Sequence, residues 1–458
     1  MLSIGLMQAQ NSPKENSPAG DWTGVLLFAP GQPGLTLNLH LTDNGGNWSA
    51  TLDSPDQGAY GIPATQAAVR GDSIFVAVKG LMLSYKAKFA APESLVGTFK
   101  QGGASAPLTL KRGSGSKRRR PQEPEPPTHY RTREVQFPGG ADGVMLAGTL
   151  TTPQSRSNAT FPLVICLSGS GPQDRNEEVF GHKPFLIWAD YLTRHGIAVL
   201  RFDDRGVNGS TGDYTCATVE DFCADALAAV AYARRLPSVA ADAVFLLGHS
   251  EGALVAAMAA AQEPAVRGIL LIGAPVLPLP RVLSHQAREL GRQMGISEAQ
   301  LDDTQALNEA CYALAADSTL SREEGIRQAA ALFKPFAKKY PGIPEAELLK
   351  SVDGLFSAEV RSLLRLDPAP IFGRVHCPIL LLQGEKDTQV LPENAHRLKA
   401  ICPQAEVKIF PELNHLLQPA VSGLPSEYTS IKTTVDPNAL ECGLDGLRRW
   451  LAGRFDTP

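Results

Sequence analysis

Two rhythms of apolar residues divide this chain. Over residues 20–112 apolar and polar positions alternate: in "LTLNLHLTD", Leu35, Leu37, Leu39 and Leu41 fall on one side of an extended strand. "SIFVAV", "LVGTFKQ" and "APLTLKR" repeat the pattern, and turns rich in glycine and asparagine, such as "TDNGGN", separate the runs. Many short strands of period two predict a small antiparallel all-β domain, a sandwich or a barrel, over 20–112.

From residue 131 the apolar runs become continuous. "LVICLSGSG", "IAVLRFDDRG", "AVFLLGHS", "RGILLIGAP", "PILLLQGEKD" and "EVKIFPELNH" each end in a polar or glycine-rich turn. Amphipathic stretches, "PFLIWADYLTRHG" and "VEDFCADALAAVAYARRLP", lie between the first three. Strands buried on both faces and alternating with helices predict an α/β domain with a mostly parallel sheet over 131–458. Residues 280–366 interrupt the alternation with helical sequence alone, as in "SREEGIRQAAALFKPFAKKY". An insertion of this size beside the strand ends predicts a helical cap over a site.

Between the two rhythms lies "GSGSKRRRPQEPEPPTH", read as a linker over 113–130 whose basic run, Lys117 to Arg120, stands in solvent. The start, "MLSIGLMQAQ", is apolar and precedes the polar "NSPKENSPAG". Residues 1–19 are expected to be the remnant of an export signal and an unstructured start, which would place the protein in the periplasm or outside the cell, with a cytoplasmic location the alternative.

Composition narrows the function classes. A chain of 458 residues exceeds what one core normally supports, so two domains are expected. With 20% charged residues and a net charge of −4, nothing points to nucleic acid as a partner. No apolar run reaches the roughly 18 residues of a membrane span. The seven cysteines lack CxxC spacing, so neither a metal site nor a disulfide framework is indicated; Cys216 and Cys223 could pair, with free thiols the expectation. Oligomeric state is left open.

The candidate chemistry begins at Gly248-His249-Ser250-Glu251-Gly252, a G-x-S-x-G pentapeptide after an apolar strand and before an alanine-rich helix. That context is a nucleophile elbow: the chain turns so sharply that the flanking positions have no room for a side chain, and the serine hydroxyl is presented at the helix start. An activated serine needs a base, and the base a carboxylate to orient it. Asp387, in "PILLLQGEKDTQV", and His415, in "VKIFPELNHLLQP", follow Ser250 in the order this architecture uses, each just past a predicted strand. Glu385 and Glu412 are rival carboxylates. The oxyanion of a tetrahedral intermediate would take the backbone N–H of Glu251 and one from "SGSGPQDRN", where Ser170 is the first choice and Gly171 the second.

At these residues the chain resembles bacterial carboxylesterases of the α/β-hydrolase fold that carry an extra N-terminal β domain, the EstD-like esterase family. The resemblance covers almost everything after residue 20. It rests on "GDWTGVL", "TLDSPDQGAYGIPA" and "GTFKQGG" in the first domain, and on "SGSGPQDRNE", "HKPFLIWADYLTRHGIAVLRFDDRG", "GHSEGALVA", "LQGEKDTQV" and "LNHLLQP" in the second. It implies hydrolysis of small-molecule carboxylic esters, commonly with small acyl groups, without metal or organic cofactor. It also implies a nucleophile, acid and base at Ser250, Asp387 and His415. One departure stands in "RGVNGSTGD", where Asn208 replaces a glycine of the family. A serine exopeptidase of the same fold, and an inert hydrolase domain with a glycan-binding β domain, remain alternative readings. No chemistry follows from "SPDQGAYGIP".

Overall fold

The computed structural model describes residues 17–27, 34–57, 59–90, 93–113, 120–155, 159–293, 295–340 and 352–453. The reading of an export remnant therefore lies mostly outside the described residues, as do residues 117–119 of the basic run. The chain divides into two compact units, residues 1–119 with 179–181, and residues 120–178 with 182–458.

The first unit is a single curled antiparallel sheet of nine strands, β1 (Gly20–Leu26), β2 (Leu35–Asn44), β3 (Asn47–Ser54), β4 (Ala59–Pro63), β5 (Gln66–Arg70), β6 (Ser73–Val78), β7 (Leu83–Ala90), β8 (Ser94–Gln101) and β9 (Ala104–Arg112). Their order is β4-β3-β2-β1-β9-β8-β7-β6-β5. The two edge strands, β4 and β5, are consecutive in the chain. Between them the Ala64 N–H donates to the Ala50 carbonyl at 2.9 Å and the Thr65 N–H to that of Ala77 at 2.8 Å, drawing the edges together. Of the two expected forms, the curl is the barrel-like one. The alternation explains its core: Leu37, Leu39 and Leu41 point inward with Trp22, Tyr85 and Phe99. In "SPDQGAYGIP", Asp56 accepts the Thr36 N–H at 2.6 Å and Asp53 accepts that of Gly61 at 2.8 Å, so the motif ties a strand connection to its neighbours.

The second unit contains β10 (Tyr130–Pro138), β11 (Met145–Pro153), β12 (Phe161–Leu167), α1 (Pro184–Arg194), β13 (Ala198–Phe202), α2 (Val219–Ala233), β14 (Val239–His249), α3 (Glu251–Ala260) and β15 (Val266–Ile272). The cap helices α4 (Leu279–Gln293), α5 (Glu298–Ala316), α6 (Arg322–Lys339) and α7 (Ala358–Leu364) follow. The chain then continues through α8 (Pro368–Phe372), β16 (Ile379–Gly384), α9 (Glu393–Ile401), β17 (Glu406–Phe410) and α10 (Pro437–Leu451). The eight strands run β10-β11-β13-β12-β14-β15-β16-β17. The pairs β10–β11 and β11–β13 are antiparallel and the others parallel, the α/β-hydrolase arrangement the sequence predicted.

Continuous apolar strands need cover on both faces. α2, α3, α8 and α9 supply it on one, where Ala253, Ala256 and Ala257 let α3 lie against the sheet; α1 and α10 supply it on the other with Phe185, Trp188, Leu444 and Trp450. α2 starts at a capping box in which Thr218 and Asp221 satisfy each other's backbone N–H groups. The cap helices bury a small core of their own, including Cys311, Ala315, Ala329 and Phe356.

One expectation is corrected. Arg120, read as part of a solvated basic run, is buried: its guanidinium donates to the carbonyls of Ile431 and Thr429 at 2.5 and 3.1 Å. Gln122 likewise bonds to Thr434 and Val435. Unpaired carbonyls of a loop attract the end of the linker, and five guanidinium hydrogens can serve several at once. All seven cysteines, Cys216 and Cys223 among them, are free.

Candidate active site

Ser250 sits where β14 hands over to α3, with φ of 53° and ψ of −121°. A left-handed backbone at a residue with a Cβ costs of order 1–3 kcal/mol and is kept only where its surroundings impose it. They do so here. The Ser250 N–H donates to the Ile272 carbonyl at 2.9 Å, holding the turn to β15. A Cβ on Gly248 would lie 2.2 Å from the Gly252 carbonyl oxygen, and one on Gly252 would lie 2.1 Å from that of Leu167. Both glycines of the pentapeptide are therefore required by close approach.

Asp387 and His415 meet although 28 residues separate them. The His415 Nδ1–H donates to Asp387 Oδ2 at 2.7 Å, both side chains being buried. Asp387 is held by the N–H groups of Gln389 and Val390, at 2.9 and 2.8 Å on Oδ1, and by the Gln383 amide at 3.1 Å on Oδ2. These bonds fix the carboxylate, which fixes the imidazole tautomer and leaves Nε2 as the basic edge. Gly273, at φ 54°, passes beneath the pair so closely that a Cβ there would lie 2.8 Å from His415 Nδ1. The rival carboxylates are placed elsewhere: Glu385 is exposed, and Glu412 pairs with Lys386 at 2.6 Å.

A second histidine, not singled out from the sequence, joins the elbow to this pair. His249 donates from Nδ1 to Glu177 Oε1 at 2.8 Å and from Nε2 to the His415 carbonyl at 3.2 Å. Both partners are acceptors, an arrangement that favours a ring carrying both hydrogens. Burial alone would lower its pKa; the charge and hydrogen bond of Glu177 outweigh that and hold it above the ordinary value. The His249 and His415 rings lie 4.6 Å apart between centroids.

The loop after β12 is clamped twice. Glu177 Oε1 also accepts the Gly169 N–H at 2.7 Å, and Glu359 of α7 accepts the Gly171 N–H at 3.1 Å. Among the described residues no protein group accepts the N–H of Ser170, which lies between. Gly169 packs directly on Ser250, since a Cβ there would sit 3.2 Å from Ser250 Cβ. Asn208, the departure from the family, has φ of 45°, a left-handed conformation that asparagine tolerates better than other side chains.

Ser170, Ser250 and Glu251 line one cavity of about 200 Å³, together with Gln389 and Val390, the two residues that hold Asp387. Cap residues Leu279, Val282, Leu283 and Val360 form much of its apolar wall, and Glu359 its polar corner. No cluster of side chains suited to a metal ion occurs among the described residues. The roles of Glu177, His249 and Glu359 do not follow from the sequence: Glu177 ends "SGSGPQDRNE" and His249 lies within the G-x-S-x-G pentapeptide, but neither motif assigns them a function, and Glu359 lies in no motif.

A profile of the alpha/beta hydrolase family matches residues 164–421. Esterase EstD of Thermotoga maritima is 29% identical over 313 residues, which cover 67% of this chain and 65% of that protein, slightly under two thirds of the relative's length. Among solved structures, the Pyrococcus furiosus esterase Pf2001 aligns at 18% identity and a TM-score of 0.43 over 70% of this chain and 91% of its own. The alpha/beta hydrolase GrgF from Penicillium sp. sh18 aligns at 20% identity and 0.45, over 70% and 99%.

Proposed function

Because this chain belongs to the alpha/beta hydrolase family, we propose that it is a serine carboxylesterase working through an acyl-enzyme on Ser250. The observation that carries this reading is the Asp387–His415 hydrogen bond of 2.7 Å beside the cavity that Ser250 lines. In the proposed reaction His415 Nε2 takes the Ser250 proton as Oγ attacks the ester carbonyl. Asp387 stabilises the imidazolium that results. The oxyanion is received by the N–H groups of Glu251 and Ser170. Ser170 is favoured over Gly171, whose N–H is committed to Glu359. Collapse of the intermediate returns the proton from Nε2 to the departing alcohol. Water, deprotonated by the same nitrogen, then releases the acid. Each oxyanion donor is expected to lower the barrier by about 2.7–4 kcal/mol.

The cavity of about 200 Å³ with mostly aliphatic walls supports a preference for short acyl chains. The glutamates on its wall are tied to one another and to Gly171. That supports ester hydrolysis over an exopeptidase, in which such carboxylates would stand open to a substrate amine. The test is turnover of p-nitrophenyl acetate and butyrate alongside an aminoacyl-nitroanilide, with fluorophosphonate labelling of the serine. Ser250→Ala should remove labelling and ester cleavage in folded protein, a loss of about 10⁵-fold or more in kcat. Retained cleavage would overturn the reading.

A further inference from the structure

We propose that Glu359, carried to the site by cap helix α7, is a positioning residue that holds both oxyanion donors at once, so that the oxyanion site is complete only with the cap in place. The inference rests on the esterase reading above. α7 is anchored at both of its turns: Ser357 caps its start by accepting the Val360 N–H at 3.2 Å, and Ser362 Oγ accepts the Val219 N–H of α2 at 3.0 Å. This brings Glu359, which is buried, against three other segments. Its Oε1 accepts the N–H of Gly171, next to Ser170. The Tyr214 hydroxyl reaches the same carboxylate from the turn Tyr214–Cys216. The Glu251 side chain, in the first turn of α3, lines the same cavity as Glu359, whose charge acts on it. Glu251 also carries the other proposed oxyanion donor on its backbone. One carboxylate therefore grips a residue at, or adjacent to, each half of the site.

Two carboxyl groups can hydrogen-bond only through a proton. Burial, and then the negative charge of Glu359, push the Glu251 carboxyl well above its usual range, so the pair is held with one shared proton. The titratable groups facing the pair are Asp204 after β13, itself raised by burial, Tyr214, and Asp225 on α2, whose charge is paired with Arg205 at 2.7 Å. Glu177 clamps the neighbouring Gly169 N–H and is paired with His249. The loop of Ser170 is thus fixed from its own unit's core by Glu177 and from the cap by Glu359.

The test uses the full chain, with rates expressed per active site titrated by fluorophosphonate. Glu359→Ala should lower kcat on p-nitrophenyl butyrate by about 30-fold or more, with KM changed by less than about threefold, as for loss of a group that acts only in the transition state. Glu359→Gln, whose amide oxygen can still accept from Gly171, should recover most of that loss. Glu251→Gln keeps a hydrogen-bond donor toward Glu359 at every pH, so it should remove or shift upward the alkaline limb of kcat that loss of the shared proton imposes. His249, whose pKa Glu177 raises against the effect of burial, is not altered by this change. The proposal is overturned if both Glu359 variants stay within about threefold of wild-type kcat. It is also overturned if they lose melting temperature and labelled fraction but not kcat per labelled site, a purely structural effect. If Glu359→Ala does not fold, Glu251→Gln decides, and an alkaline limb of kcat unchanged from wild type then overturns the proposal. A wild-type protein that is not labelled at Ser250 would instead overturn the esterase reading itself.

Discussion

Each unit contains a histidine bonded to aspartate at 2.7 Å, and the two pairs have opposite consequences. In the first unit His40 bonds from Nδ1 to Asp21 and from Nε2 to Asp53, at 2.7 and 2.8 Å, across the strands β1, β2 and β3. Both ring nitrogens are spent. In the second, His415 spends only Nδ1, on Asp387. A histidine clasped on both sides by carboxylates spends both ring nitrogens as a staple across a sheet. One clasped on a single side keeps a lone pair and can act as a base. Partner count, rather than distance or residue type, separates the two.

The architecture supplies the difference. Antiparallel strands lay His40 flat among cross-strand neighbours, where side chains face one another along the whole strand. Parallel strands end together, so the loops after β14, β16 and β17 project their residues into one space from one direction. The chemistry of this chain is expected at strand ends because only there can a polar group reach a ligand without crossing a sheet.

The contrast can be broken in stages. Removing the base should have the largest effect: His415→Ala is expected to lower kcat on p-nitrophenyl butyrate by about 10⁵-fold with the fold intact by circular dichroism. Asp387→Asn should follow, at about 10⁴-fold, because an amide in place of the carboxylate allows the wrong imidazole tautomer. Gly273→Ala is expected to cost about 10²-fold in kcat, since its methyl would push on His415 and the left-handed backbone would be strained. A crystal structure of that variant should show the imidazole displaced.

His40→Gln should leave kcat unchanged and lower stability by about 1 kcal/mol, read from thermal melts. Burial alone would lower the His40 pKa, but its hydrogen bonds to Asp21 and Asp53 outweigh that and raise it. A raised folded pKa gives stability that is complete below the unfolded value of about 6.5 and is lost as pH rises through the folded value. The difference in melting temperature between wild type and His40→Gln should therefore be largest in mild acid and shrink toward alkaline pH. A difference that grew with pH would contradict the staple.

The sequence alone carried the two domain types, the elbow and the order Ser250, Asp387, His415. Those features are local: a period of two or a continuous apolar run reports how many faces of a strand are buried, and G-x-S-x-G reports a turn too tight for side chains at its flanks. It also narrowed the acid to one of three carboxylates, and the structure separates them, with Asp387 buried on the imidazole and Glu385 and Glu412 facing outward.

Tertiary structure decided what depends on neighbours distant in the chain. Gly171 and Glu359 are 188 residues apart, and Glu177 and His249 are 72 apart. No periodicity links such positions; their contacts exist because a cap helix and a loop happen to be brought over the same strand ends. The burial of Arg120 has the same origin, since a basic run looks solvated until the loop carbonyls that receive it are in place. Patterning reports how a residue sits in its own element, whereas the raised pKa values of Glu251 and His249 depend on charges and burial that only the assembled fold provides.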